Sequence, residues 1–297
     1  MKATLYTIIA LIAFAANSLF CRMALAEGYI DAWNFTIIRL LSGAVCLGII
    51  MTVYTHNLKS KGVLNQEINH AILKDKGSWL SSVSLLVYAL CFSVAYVVLD
   101  TGTGALILFS AVQLTMIGWG IYKKEQLSRL QWAAFIVAVA GFIYLMLPSA
   151  AVPSLFGAAI MAISGVAWGI YSIRGKACVS PLRATGFNFI RSLIAVPLLL
   201  LIGLSNIKDI SIEGILLACI SGAITSGIGY SIWYMAMPLL KSTQAAVVQF
   251  CVPVLAAIAG VLFLSEQLTM RFIVASAVIL GAVLVFILNK KVLKQHS

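Results

Sequence analysis

Apolar runs long enough to cross a lipid bilayer recur from one end of this 297-residue chain to the other. Each holds about 18–22 residues, and roughly 20 apolar residues in a helix span a hydrocarbon core of roughly 30 Å. Lipid offers no hydrogen bonds to the backbone, so runs of this kind must be helices. The longest polar stretch, Thr55–Ser78, is 24 residues, which leaves no room for a soluble domain. Composition agrees: 62% of residues are apolar and 10% charged, against about half and a quarter in soluble domains. The fold class is therefore an all-α polytopic membrane protein, with the lipid bilayer as its first partner.

A net charge of +11 would suggest nucleic acid in a soluble chain. Here the cations sit in short loops, as membrane orientation requires, and no basic patch is interleaved with exposed aromatics, so no nucleic acid is expected. The six cysteines are scattered singly, mostly within apolar segments, and no zinc or C-x-x-C spacing exists. Neither a metal site nor a cofactor is indicated. The N-terminal stretch imitates a secretory signal, but its apolar core runs from Thr4 to Phe20 and Arg22 precedes the Ala24-Leu25-Ala26 site, so it reads as a retained first span.

Hydropathy predicts ten helices, at roughly 4–24, 33–54, 79–99, 102–122, 130–147, 154–174, 184–204, 214–237, 243–264 and 271–288. With the N-terminus placed in the cytoplasm, 15 lysines and arginines fall on the cytoplasmic side and 3 (Arg22, Lys208, Arg271) on the other. That asymmetry puts both termini inside. Arg39 and Arg191 fall within spans.

Five spans precede a linker at Pro148–Pro153 and five follow it. A shift of 152 residues aligns Arg22 with Arg174 and superposes Phe35, Ile38, Arg39 and Leu41 on Phe187, Ile190, Arg191 and Leu193, an F-x-x-I-R-x-L motif in each half. A shift of 141 aligns Glu125-Gln126-Leu127 with Glu266-Gln267-Leu268. Polar identities are rare in so apolar a chain, so these point to duplication, with repeats at 1–148 and 153–297 forming one integrated membrane domain. Five is odd, so the second copy enters the membrane inverted. Inverted repeats are a transporter architecture, with the substrate site at the repeat interface near mid-membrane.

With these features the chain resembles the drug/metabolite transporter superfamily, EamA type. The resemblance rests on the five-plus-five arrangement, internal termini, and the elements GALILFSAVQLTMIGWGIYKKEQLS and QAAVVQFCVPVLAAIAGVLFLSEQLT, each ending in Glu and followed by a helix with a glycine (Gly141, Gly281). Pro253 resembles a proline frequent in the family; Val112 stands at the matching place in the first half. The resemblance implies a secondary carrier of the bacterial inner (plasma) membrane working by alternating access, usually exporting amino acids or other small metabolites. Relatives move sugars, nucleotide sugars or quaternary ammonium compounds. Small multidrug members use a glutamate in the first helix; this chain has Asn17 and no carboxylate in that helix's apolar part. A monomer and a homodimer are both compatible with the sequence.

Candidate substrate-cavity residues are Asn17, Arg39, Gln113, Trp168, Tyr171, Asn188, Arg191, Tyr230, Trp233 and Gln249. A charged side chain near the bilayer centre costs about 2.5–3.5 kcal/mol on insertion scales. Arg39 and Arg191 therefore either line a polar cavity and attract a carboxylate or phosphate, or snorkel and cap a neighbouring helix. Gln113 and Gln249 can bind substrate or bond across helices. Trp168, Tyr171, Tyr230 and Trp233 can stack on an organic substrate or serve packing and interfacial roles. Gly102, Gly104, Gly227, Gly229 and Pro253 are gating or packing candidates, with Gly222 adding to the small-residue cluster. Glu125 and Glu266 are candidate ion-pair partners or caps for the following helices through Ser128 and Thr269.

No H-E-x-x-H, G-x-S-x-G or paired aspartates occur within spans, and His56, His70 and His296 lie in loops or tails, so an intramembrane enzyme is not expected. A sensor or assembly subunit would carry a soluble output domain.

Overall fold

The structure, a computed structural model, describes residues 2–60, 66–124, 127–146, 155–175, 178–236, 239, 248–249 and 251–289. Every regular element among them is helical. They are α1 (Lys2–Ala26), α2 (Ala32–Ser60), the short α3 (Gln66–Lys74), α4 (Trp79–Tyr96), α5 (Thr101–Tyr122), α6 (Arg129–Met146) and α7 (Leu155–Gly175). Two long spans follow, α8 (Pro181–Ile207) and α9 (Ile212–Ala236), then α10 (Cys251–Leu264) and α11 (Met270–Leu288).

Among the described residues 7 helices are long and apolar enough to cross a membrane, while α6, α10 and α11 are shorter apolar helices. Each overlaps one of the segments expected from hydropathy, and the protein is a polytopic helical membrane protein. The count of ten crossings is not reached on this criterion. For α10 the reason is that 240–247, where the expected segment 243–264 begins, lie outside the described residues. So do Glu125, Gln126 and the Pro148–Pro153 linker.

Local chemistry sets the helix ends. The Asp31 carboxylate accepts the N–H of Trp33 at 2.9 Å and of Asn34 at 3.1 Å, pairing donors that no helical carbonyl reaches at the start of α2. Ser78 caps α4 by accepting the Ser81 N–H at 3.2 Å. Ser128 and Gln131 form a reciprocal capping box before α6. In α8, Pro197 has no N–H to donate, and a 3-10 turn at Leu193–Ala195 precedes the α-helix resuming at Val196.

The packing is pairwise. α4 packs on α7 and α1 on α9; α5 packs on α7 and α1 on α10; α2 packs on α9 and α4 on α8. Three further pairs, α2 with α8, α5 with α10 and α6 with α11, complete the main contacts. Outward faces carry exposed aliphatics such as Leu5, Ile49, Leu201 and Leu262, as a lipid-facing surface requires. α2 and α9 approach so closely that a Cβ on Gly222 would collide with the Arg39 carbonyl.

Candidate functional site

α4 carries Tyr88, Phe92 and Tyr96 at a spacing of four, which lines them along one helix face. All three are buried. Tyr88 and Phe92 stand 5.4 Å apart, Phe92 and Tyr96 4.7 Å. Trp168 of α7 extends the cluster, 4.7 Å from Tyr88, 5.3 Å from Tyr171 and 5.1 Å from Tyr230 of α9. Phe14 of α1 closes it, 5.8 Å from both Tyr230 and Trp233. Elements from both halves of the chain thus meet in one aromatic core.

Within that core lies a cavity of about 20 Å³, lined by Phe14, Asn17, Ser18, Tyr88, Phe92, Leu108, Phe109, Trp168, Thr225 and Tyr230. Roughly 10–15 Å³ suffices for one water molecule, so the chamber is contracted rather than open. Its polar corner is built by α1 and α9: Asn17 Oδ1 accepts the Ser221 hydroxyl at 2.7 Å and the Thr225 hydroxyl at 3.0 Å.

Arg39 lies against the chamber wall and is 1% exposed. Its guanidinium stacks over Tyr88 at 5.2 Å and Phe92 at 4.9 Å. Nη2 donates to Tyr88 Oη at 3.0 Å and, at the long limit of 3.5 Å, to Ser226 Oγ. Nη1 has no hydrogen-bond partner, and no ion pair forms to Arg39, among the described residues. Burying a cation costs several kcal/mol that neutral partners offset only in part.

Ser226 and Thr225 reach these positions because α9 widens into a π-helix over Ile220–Ile228. π segments recur at functional sites. The expected small-residue cluster falls within or next to this segment: Gly222 and Gly227 pack against α2, and Gly229 lies against Ala13 of α1.

Side-chain hydrogen bonds tie the margins of the core at two places. At one, Thr185 Oγ1 joins Tyr171 Oη at 2.8 Å and Tyr234 Oη at 2.9 Å. At the other, Tyr96 Oη donates to the Thr101 carbonyl at 3.3 Å and its ring packs against Gly104. Beside it, Glu266 Oε1 and Oε2 accept the Thr101 N–H at 2.9 Å, and Oε1 also accepts the Thr101 hydroxyl at 2.9 Å. Arg22 pairs with Glu266 at 3.6 Å and Asp100 at 3.7 Å, and donates to the carbonyls of Tyr96 and Val97. Glu266 therefore caps α5 rather than the helix that follows it; Thr269 caps α11 alone by accepting the Phe272 N–H at 3.1 Å. Burial pushes the Glu266 carboxyl above its ordinary range, and the bonds from Thr101 counter part of that rise.

The structure brings Asn17, Arg39, Trp168, Tyr171, Tyr230 and Trp233 together. It does not bring Arg191 there: that side chain is half-buried, donates from Nη1 to the Lys76 carbonyl at 2.6 Å and lies over Trp79. Asn188 stands at the edge of the core, buried beside Tyr171, to which its side chain is hydrogen-bonded, and tied to the start of α4 through Ser78 and Ser82. Gln113 is buried in α5, Gln249 is half-buried, Gly102 presses against Ala257, and Pro253 is buried in α10. Unforeseen from sequence were Tyr88, Phe92, Thr225 and Ser226. The i, i+4, i+8 aromatics of α4 carried a readable signal; the π segment carried none beyond its glycines.

A model of the EamA-like transporter family matches residues 155–288. An uncharacterised protein of Pseudomonas aeruginosa is 40% identical over 282 residues, spanning 95% of this chain and 93% of that protein. An uncharacterised transporter of Archaeoglobus fulgidus is 24% identical over 275 residues, covering 90% of each. A solved crystal structure matches the fold with a TM-score of 0.63 at 17% identity, over 98% of this chain and 99% of that one. The chain belongs to the EamA-like transporter family, and is a membrane transporter by that membership.

Proposed function

We propose that this EamA-family chain is a secondary carrier that moves small metabolites across the bacterial inner membrane by alternating access, exporting amino acids or similar amphiphiles. Its ten spans form two inverted repeats of five, with both termini in the cytoplasm. The packing supports the inverted pair: exchanging first-half and second-half helices turns α4 on α7 into α9 on α1, α5 on α7 into α10 on α1, and α2 on α9 into α8 on α4. A two-fold relation between halves predicts these paired contacts.

The observation that carries the reading is a buried aromatic chamber with side-chain hydrogen bonds at two margins of the core around it, which we take as its two gates. Opening the Tyr171–Thr185–Tyr234 contacts exposes the chamber to one side; parting Tyr96 from the Thr101–Glu266 end exposes it to the other. The two gates are small enough for helix rocking to release one while the other holds. Aromatic walls also suit quaternary ammonium ions, but the Arg39 charge beside them opposes a cation.

Proteoliposomes loaded with labelled amino acids, related amphiphiles, sugars and quaternary ammonium compounds test the proposal. Protein-dependent flux of amino acids or amphiphiles is expected. Equal flux in empty liposomes across all four sets would end it.

A further inference from the structure

We propose that Arg39 anchors a substrate carboxylate, and that the chamber therefore selects small organic anions with a flat apolar body over the same body carrying an amine. The inference rests on the transporter reading above and adds the charge of the substrate.

Three observations carry it. Arg39 is sealed from solvent, its described partners are the neutral hydroxyls of Tyr88 and Ser226, and Nη1 has no hydrogen-bond partner among the described residues. A guanidinium does not deprotonate in a protein, so a full positive charge and an open donor sit together inside the bundle. The second observation concerns the whole chain. It has 9 carboxylate residues, and the described ones (Glu27, Asp31, Glu67, Asp75, Asp100, Asp209, Glu213 and Glu266) lie in connections or in the first turn of a helix. Among the described residues no carboxylate pairs with Arg39.

The third observation is what stands around the guanidinium. Tyr88 and Phe92, whose faces it stacks on, are also walls of the chamber, together with Phe14, Trp168 and Tyr230. A carboxylate joined to a flat apolar body meets both demands: the fork of donors for its oxygens and ring faces for the rest. In surroundings this dry the attraction is weakly screened, so the anion cancels a charge that the protein leaves uncompensated. An ammonium group would face the same uncancelled charge with no carboxylate among the described residues beside Arg39 to receive it. The contracted volume, about 20 Å³, means that entry parts the ring walls, and the carboxylate supplies the attraction that favours the parted state.

The test uses the purified full-length protein in detergent and a chloride-free buffer, with melting temperature as the readout. Three probes share one body: 3-phenylpropanoate, phenylalanine and 2-phenylethylamine, of charge about −1, 0 and +1 at neutral pH. The expected result is a shift of several degrees with 3-phenylpropanoate, a smaller one with phenylalanine and none with 2-phenylethylamine. Arg39→Gln abolishes the carboxylate response and Arg39→Lys keeps part of it. Should Arg39→Gln fail to fold, Tyr88→Phe serves instead: it removes the partner of Nη2 and is expected to weaken the response several-fold. The proposal is overturned if the amine stabilises as strongly as the carboxylate. It is overturned also if Arg39→Gln, or Tyr88→Phe in its place, keeps the full response, or if sodium chloride alone reproduces the shift, which would mark a simple halide site. Counterflow of labelled 3-phenylpropanoate separates the two readings. Binding without flux sinks the carrier and keeps the anchor; flux of 2-phenylethylamine with no carboxylate response sinks the anchor and keeps the carrier.

Discussion

Arg39 and Arg191 occupy the same place in matching F-x-x-I-R-x-L stretches, and the fold treats them oppositely. Arg39 sits where α2, α4 and α9 converge, 1% exposed and stacked between rings. Arg191 sits on α8, whose neighbouring Ile190 and Ile194 are exposed, and it reaches along Trp79 to the Lys76 carbonyl. One cannot escape the core; the other slides its stem along apolar surface to a polar end. The motif puts an arginine in both halves of the chain, and only one of the two stands in an enclosed setting. The other aligned pair of arginines repeats the lesson. Arg22 meets the carboxylates Asp100 and Glu266, whereas Arg174 meets the hydroxyls of Ser78 and Ser81.

The largest test of this contrast is flux. Losing a buried charged anchor costs about 2 kcal/mol or more, so Arg39→Ala should slow carboxylate transport by at least roughly 30-fold, while Arg191→Ala stays within about three-fold. Equal losses in liposome assays would erase the distinction. Stability should run the other way. Burying the Arg39 charge costs several kcal/mol and its removal strands no carboxylate among the described residues, so Arg39→Met should melt no lower than the parent. Arg191→Met should lose about 0.5–1.5 kcal/mol with its hydrogen bond. A sharp fall in the melting temperature of Arg39→Met would make Arg39 a structural residue.

The two asparagines extend the comparison with a smaller effect. Asn188 accepts the Ser78 N–H at 3.2 Å and the Ser82 hydroxyl at 3.1 Å, so Asn188→Ala should cost about 1–3 kcal/mol of stability and leave substrate preference unchanged. Asn17→Ala, at the chamber corner, should change preference; equal preference profiles for the two variants would detach Asn17 from the site.

The smallest effect separates the two ends of the bundle by pH. Burial raises the Glu266 carboxyl above its ordinary 4.5. Just above 4.5 the folded chain holds a proton there that the unfolded chain has released. Its contribution to stability is therefore full below 4.5 and is lost as pH rises through the raised value. Melting temperature against pH should show that slope in the parent and lose it in Glu266→Gln. A slope that survives the substitution would assign it to another group.

Much of the architecture was readable because its signals are local. Helix ends at Asp31, Ser78 and Thr269 follow from side chains that reach N–H groups two or three residues away. The chamber was readable only in part. Trp168, Tyr171 and Tyr230 stood out as amphipathic rings in apolar helices, and the four-residue spacing of Tyr88, Phe92 and Tyr96 was available as a stripe. Thr225 and Ser226 were hidden, because their orientation depends on the π widening of α9. Glu266 read either as an ion-pair partner or as a cap for its own following helix; it pairs with Arg22, but the helix it caps begins at Thr101, 165 residues away.

That this chain is a series of lipid-crossing helices follows from each segment taken singly, since every span must pair its own backbone and present apolar side chains to lipid. The recurring F-x-x-I-R-x-L motif is likewise visible by comparing two short stretches. Nothing within either stretch says which arginine will be sealed from water. That outcome depends on neighbours 49 and 187 residues distant, Tyr88 and Ser226, which burial of the assembled helices brings around one guanidinium and not around the other.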